Sequence, residues 1–157
     1  LKPLGRVTTE GESARGRLAA ADLDGDGVIE IVAVTNRDRV IVVNGDGKIV
    51  WSAAGARDAY SAVFADLDGD GVLDVIASDS ATFARGFSGR DGRLIWQAGD
   101  ERGANAAAPG DQPRALAPLA VARGGAGGPA LLAGGDLSRG ALRAFGLPAG
   151  ALKAAAR

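Results

Sequence analysis

A chain of 157 residues is one domain by length, and its 46% apolar fraction is enough for a core that buries roughly 70% of the unfolded surface. It has no histidine and no cysteine, which excludes Ser-His-Asp and Cys-His nucleophilic catalysis, His-based zinc sites and disulfides. The net charge of −1, with no apolar run of membrane-spanning length, points away from nucleic acid and from bilayer insertion.

Along the chain, residues 1–16 offer at most one strand, Lys2 to Thr9. A short apolar run, Leu18 to Ala21, leads into Asp22-Leu-Asp-Gly-Asp-Gly-Val-Ile-Glu30. This stretch places carboxylates at loop positions 1, 3, 5 and 9 and Gly27 at position 6. A hard cation that takes six to eight oxygen ligands needs such a set, and the glycine permits the sharp turn. Asp22, Asp24, Asp26 and Glu30 are the expected side-chain ligands of a Ca2+ ion, and Val28 would add its backbone carbonyl. An EF-hand would need a bidentate Glu at position 12 and a helix beyond it; Ala33 stands at that position. The run Val28 to Val34 is β-branched and reads as a buried strand. Arg39 to Val43 is a second strand, Asn44-Gly-Asp-Gly47 a hairpin turn with positive-φ residues, and Lys48 to Trp51 a further strand.

The same order returns 44 residues later (66 − 22). Ala62 to Ala65 precedes Asp66-Leu-Asp-Gly-Asp-Gly-Val-Leu-Asp74, whose ligands would be Asp66, Asp68, Asp70, the Val72 carbonyl and Asp74. Strands follow at Val72 to Ser78, Thr82 to Phe87 and Arg93 to Trp96, with the turn Ser88-Gly-Arg-Asp-Gly92 between the last two. Trp51 and Trp96 occupy equivalent places, which predicts a recurring core contact with a partner for each indole N–H. Residues 100–114 read as a polar insertion, either an inter-blade connection or part of a binding face. A third, eroded unit has strands at Ala130 to Ala133 and Gly140 to Phe145. Ala122-Arg-Gly-Gly-Ala-Gly-Gly128 stands in place of the acidic loop, and Ala154 in place of the tryptophan. With no carboxylate, that loop should hold no calcium.

Four antiparallel strands in about 40–50 residues is the size of one β-propeller blade. The expected fold is therefore all-β, about three blades at 17–60, 61–99 and 115–157 within one domain. The acidic loops with their following strands resemble FG-GAP/VCBS repeats, the units of integrin-α-type propeller heads and of many bacterial surface proteins. In that family a D-x-D-x-D-G-x-x-D loop joins the first two strands of a blade and holds calcium. The resemblance covers residues 17–99 strongly and 115–154 weakly. Glu30 departs from the usual Asp, and the Phe-Gly pair occurs only at Phe145-Gly146. The hairpins ending in Trp51 and Trp96 also resemble the Trp-bearing strand of quinoprotein-type propeller repeats.

The two loops carry eight of the 19 acidic residues, so the remainder holds 18 − 11 = +7, scattered along the chain. Two Ca2+ ions would move the whole from −1 to +3 and relieve the repulsion among the clustered carboxylates. These features imply a calcium-stabilised binding or adhesion module, non-catalytic by itself. Its partner would be a protein or a glycan, and its location secreted, cell-surface or periplasmic. The alternatives are the propeller portion of an enzyme (a quinoprotein dehydrogenase or a polysaccharide lyase) or an architectural repeat of a fibre. Three blades do not close a ring, and the chain starts at Leu1; a longer parent protein or self-association through the end blades is expected.

Overall fold

The computed structural model describes residues 7, 9, 11–57, 59–79, 83–98, 119–123, 130–136 and 141–147. Among these residues the chain is all-β. β1 (Ala14–Ala21), β2 (Glu30–Thr35), β3 (Arg39–Val43) and β4 (Ile49–Ala54) form one four-stranded sheet in chain order, antiparallel throughout. β5 (Ala62–Ala65), β6 (Asp74–Asp79), β7 (Phe83–Phe87) and β8 (Leu94–Ala98) repeat it. β9 (Leu119–Arg123), β10 (Ala130–Asp136) and β11 (Ala141–Gly146) form a third antiparallel sheet. The first two sheets are propeller-like blades, as the strand spacing implies. β1 lies against β5, and β5 against β9, so the first strands of successive sheets are neighbours. No helix among the described residues is long and apolar enough to cross a membrane.

Strand alternation explains how the sheets stack. Successive side chains point to opposite faces. Val32 and Val34, Val40 and Val42, and Trp51 therefore share one face of the first blade. They pack with Val75, Ala77 and Phe87 of the second blade and with Leu23 from the first loop. Side chains of odd offset in the second blade, Ile76 and Ala84, face the other way and join Leu67, Leu147 and Val121. Each fully buried Val, Ile or Phe contributes about 1.5–3 kcal/mol, so among the described residues the seam between the first two blades is a main source of apolar stabilisation. On the far face of the first blade Ile31 and Ile49 stay roughly half exposed.

Trp51 is a contact between blades rather than within one. Its ring is buried, a Cβ on Gly92 would stand 2.5 Å from it, and its Nε1–H donates to the Gly89 carbonyl at 2.6 Å. Trp51→Phe should leave that carbonyl unsatisfied, at about 1–3 kcal/mol. Urea unfolding in EDTA should show this as a lower midpoint with an unchanged slope.

Several strand boundaries differ from those the sequence implies; β4, β8 and β10, for instance, run on to Ala54, Ala98 and Asp136. β2 and β6 begin at Glu30 and Asp74, two residues after the apolar runs begin, because the Val28 and Val72 N–H groups are taken by loop carboxylates. β1 starts at Ala14, ahead of Leu18, through a bulge between Arg15 and Ala19. There Gly16 has φ +65°, and a Cβ would sit 2.0 Å from the Tyr60 carbonyl oxygen. In the third unit, Ala122 and Arg123 belong to β9 rather than to a loop. The rest of that loop, the position at Ala154 and the 100–114 insertion lie outside the described residues, as does most of the Lys2 to Thr9 segment.

Candidate metal centre

The two acidic loops have the same internal wiring. In the first, both Asp22 carboxylate oxygens accept backbone N–H bonds, Oδ1 from Gly25 at 2.7 Å and Oδ2 from Gly27 at 3.0 Å. In the second, Asp66 accepts from Gly69 at 2.6 Å and from Gly71 at 3.1 Å. Position 3 accepts from the N–H of position 5: Asp24 from Asp26 at 3.1 Å, Asp68 from Asp70 at 3.2 Å. Position 5 accepts from position 7: Asp26 from Val28 at 2.7 Å, Asp70 from Val72 at 2.8 Å. These side-chain turns fix the curl, and Gly25, Gly27, Gly69 and Gly71 carry it at φ between +81° and +88°.

Position 9 closes the neck. Glu30 and Asp74 are the first residues of β2 and β6 and are buried. Glu30 Oε2 accepts from the Leu23 N–H at 2.8 Å, and Asp74 Oδ2 accepts from the Leu67 N–H at 2.6 Å. Asp74 Oδ1 also accepts from the Gly89 N–H at 3.0 Å, which ties the loop to the hairpin between β7 and β8. Burial pushes the Asp74 carboxyl up, against the two backbone N–H bonds that favour its charge; Asp68 and Asp70 nearby push the same way as burial.

Three carboxylates converge in each loop. Asp22, Asp24 and Glu30 offer oxygens within 4.8 Å of one another, and so do Asp66, Asp68 and Asp70. The fourth expected ligands, Asp26 and Asp74, stand outside these groups. Asp74 is one methylene shorter than Glu30, and each of its oxygens is held by a backbone N–H, of Leu67 or of Gly89. Val28 is half exposed beside Gly45, whereas Val72 is buried and would touch a Cβ on Gly25. The two loops thus sit next to each other across the seam. All donors are hard oxygens, each carboxylate oxygen keeps a lone pair beyond its N–H bond, and the set suits Ca2+ and not a soft metal.

One residue at the loops escaped the sequence reading. Arg90, in the second hairpin turn, donates Nε–H to Asp70 Oδ2 at 2.6 Å. This bond holds the Asp70 carboxyl below its usual range. The signal available in the sequence was length: the second hairpin, closed by Ser88 N–H to the Arg93 carbonyl, is one residue longer than the first, closed by Asn44 N–H to the Lys48 carbonyl. The shorter turn is the hairpin that the sequence implies, with Gly47 at φ +78° and Asn44 Oδ1 accepting from Asp46 and Lys48.

Residues 22–77, from the first carboxylate of the first loop into β6, match the family model of the FG-GAP-like repeat. No curated protein matches the chain.

Proposed function

Since this is an FG-GAP-type repeat protein across residues 22–77, we propose that it is a calcium-stabilised, propeller-type binding module that acts outside the cytosol. The observation that carries this is the paired loop. Two nine-residue segments, one on each of two adjoining blades, repeat the same side-chain-to-backbone bonds and gather three carboxylates apiece. In the first site Asp22, Asp24 and Glu30 would hold the ion, with Asp26 and the Val28 carbonyl completing the shell. In the second, Asp66, Asp68 and Asp70 would do so, with Asp74 and the Val72 carbonyl. The bound ion supplies charge neutralisation and a fixed crosslink at the start of β2 or β6; the chain's own carboxylates position it and exclude softer metals.

In this reading the module has no catalytic step of its own. Trp51 supports that, because its buried ring serves the blade seam and is closed to a stacking cofactor or sugar. Its partner is a protein or a glycan, and the half-exposed Ile31 and Ile49 offer the apolar face on which a further blade or a second copy would seat. Millimolar calcium outside the cytosol would keep such loops filled. Calcium titration by isothermal calorimetry on EDTA-stripped protein should give two ions per chain, and Asp24→Ala plus Asp68→Ala should abolish the heat. A flat titration of the folded native protein at millimolar calcium would falsify this reading.

A further inference from the structure

The two loops match in their wiring but not in their surroundings. Arg90 is the extra residue of the second hairpin, and its guanidinium is already seated on Asp70, a member of the second carboxylate group. The first hairpin turn, Gly45-Asp46-Gly47, carries no positive charge in its place. Arg90 is held there from below: Gly89 donates its N–H to Asp74 and accepts from Trp51, so the turn that presents the arginine is anchored on both sides. Asp70 first, then Asp68 and, across the seam, Asp24 hold the guanidinium above its usual range.

We propose that Arg90 is a tethered counter-cation that sets the calcium affinity of the second loop below that of the first, so that the two sites fill in sequence, Asp22–Glu30 before Asp66–Asp74. This rests on the calcium reading above. A Ca2+ ion entering the second loop must share or take Asp70 from the guanidinium and then tolerate its positive charge nearby. The pair is partly solvated, with side-chain exposures of 52% and 34%, so water and salt screen much of this. What survives is a difference of roughly tenfold in affinity. Asp24 contributes less than Asp70 and Asp68 to holding the guanidinium charged, and the effect on the first loop is correspondingly small.

The test is calcium calorimetry on the full native chain, on Arg90→Gln, and on each with Asp68→Asn to assign the second site. Two resolved affinities are expected in the native protein. Arg90→Gln should strengthen the weaker one about tenfold, to near equality, and change the stronger one by less than about twofold. Arg90 is half exposed, so the variant keeps the fold. Equal affinities in the native protein, or a weaker site that Arg90→Gln leaves within twofold, would overturn this inference and leave the calcium reading standing. Absence of calcium heat in both proteins would overturn both.

Discussion

Adding about 1 mM CaCl2 to EDTA-stripped protein should raise its melting temperature by about 5–10 °C for each loop that fills with a Kd near 10 μM. Such a site contributes roughly 2.7 kcal/mol at a hundredfold excess over Kd, and a domain of this size moves by about 2–4 °C per kcal/mol. The expectation is physical rather than by analogy. Each loop gathers carboxylates whose oxygens lie within 4.8 Å, and their mutual repulsion acts on the folded state. The turns that hold them are wired by backbone N–H groups, so the ion meets a formed cradle and loses little to ordering. Through Asp74 the second loop is continuous with the Gly89 turn and with the seam, so stabilising it stabilises the contact between blades. Asp24→Ala plus Asp68→Ala is the informative control. Both residues are exposed, so the double variant should melt close to the native protein in EDTA and show no calcium response. Identical native melts with and without calcium would reduce the loops to acidic turns.

How much of this was written in the sequence depends on whether the information was local. The blades were legible because strand alternation and turn chemistry are local: Val32, Val34, Val40 and Val42 alternate along their strands, and Asn44 to Gly47 needs only its own side chain and one positive φ. The acidic loops were legible because a nine-residue spacing recurs with the same strand after it. Boundaries set by contacts at long range were not. At the bulge the Tyr60 carbonyl, from the segment between β4 and β5, comes so close that only glycine fits at position 16, and nothing in Ala14-Arg-Gly-Arg17 announces it. The sequence puts an acid at position 9 of both loops, Glu30 in one and the usual Asp74 in the other. Glu30 joins its carboxylate group while Asp74 turns to Gly89, a distinction that needs the neighbouring hairpin to be in place. Arg90 looked like an ordinary turn residue for the same reason. Trp51 was expected in a core, but its partner across the seam lay 38 residues away in sequence.

Gly89→Ala should cost about 3–6 kcal/mol, a large share of the roughly 5–15 kcal/mol that holds a typical domain folded. A Cβ there would stand 2.0 Å from the Leu73 carbonyl oxygen and 2.9 Å from that of Leu23. Both obstacles are backbone, one at the neck of the second loop and one inside the first, so no side chain can swing aside. The turn cannot retreat either. Its N–H is bonded to Asp74 and its carbonyl to Trp51, and withdrawal strands two buried polar groups at about 1–3 kcal/mol each. Gly71→Ala is the comparison that isolates this effect. Gly71 has φ +87° and nothing within 4 Å of a Cβ, so its replacement meets only the left-handed backbone penalty of about 1–2 kcal/mol. Urea unfolding in EDTA should therefore rank native, Gly71→Ala and Gly89→Ala in descending order, with the last well separated. If Gly89→Ala fell within 1 kcal/mol of Gly71→Ala, the two blades would not be locked through this turn. The platform that presents Arg90 to the second loop would then lose its footing as well.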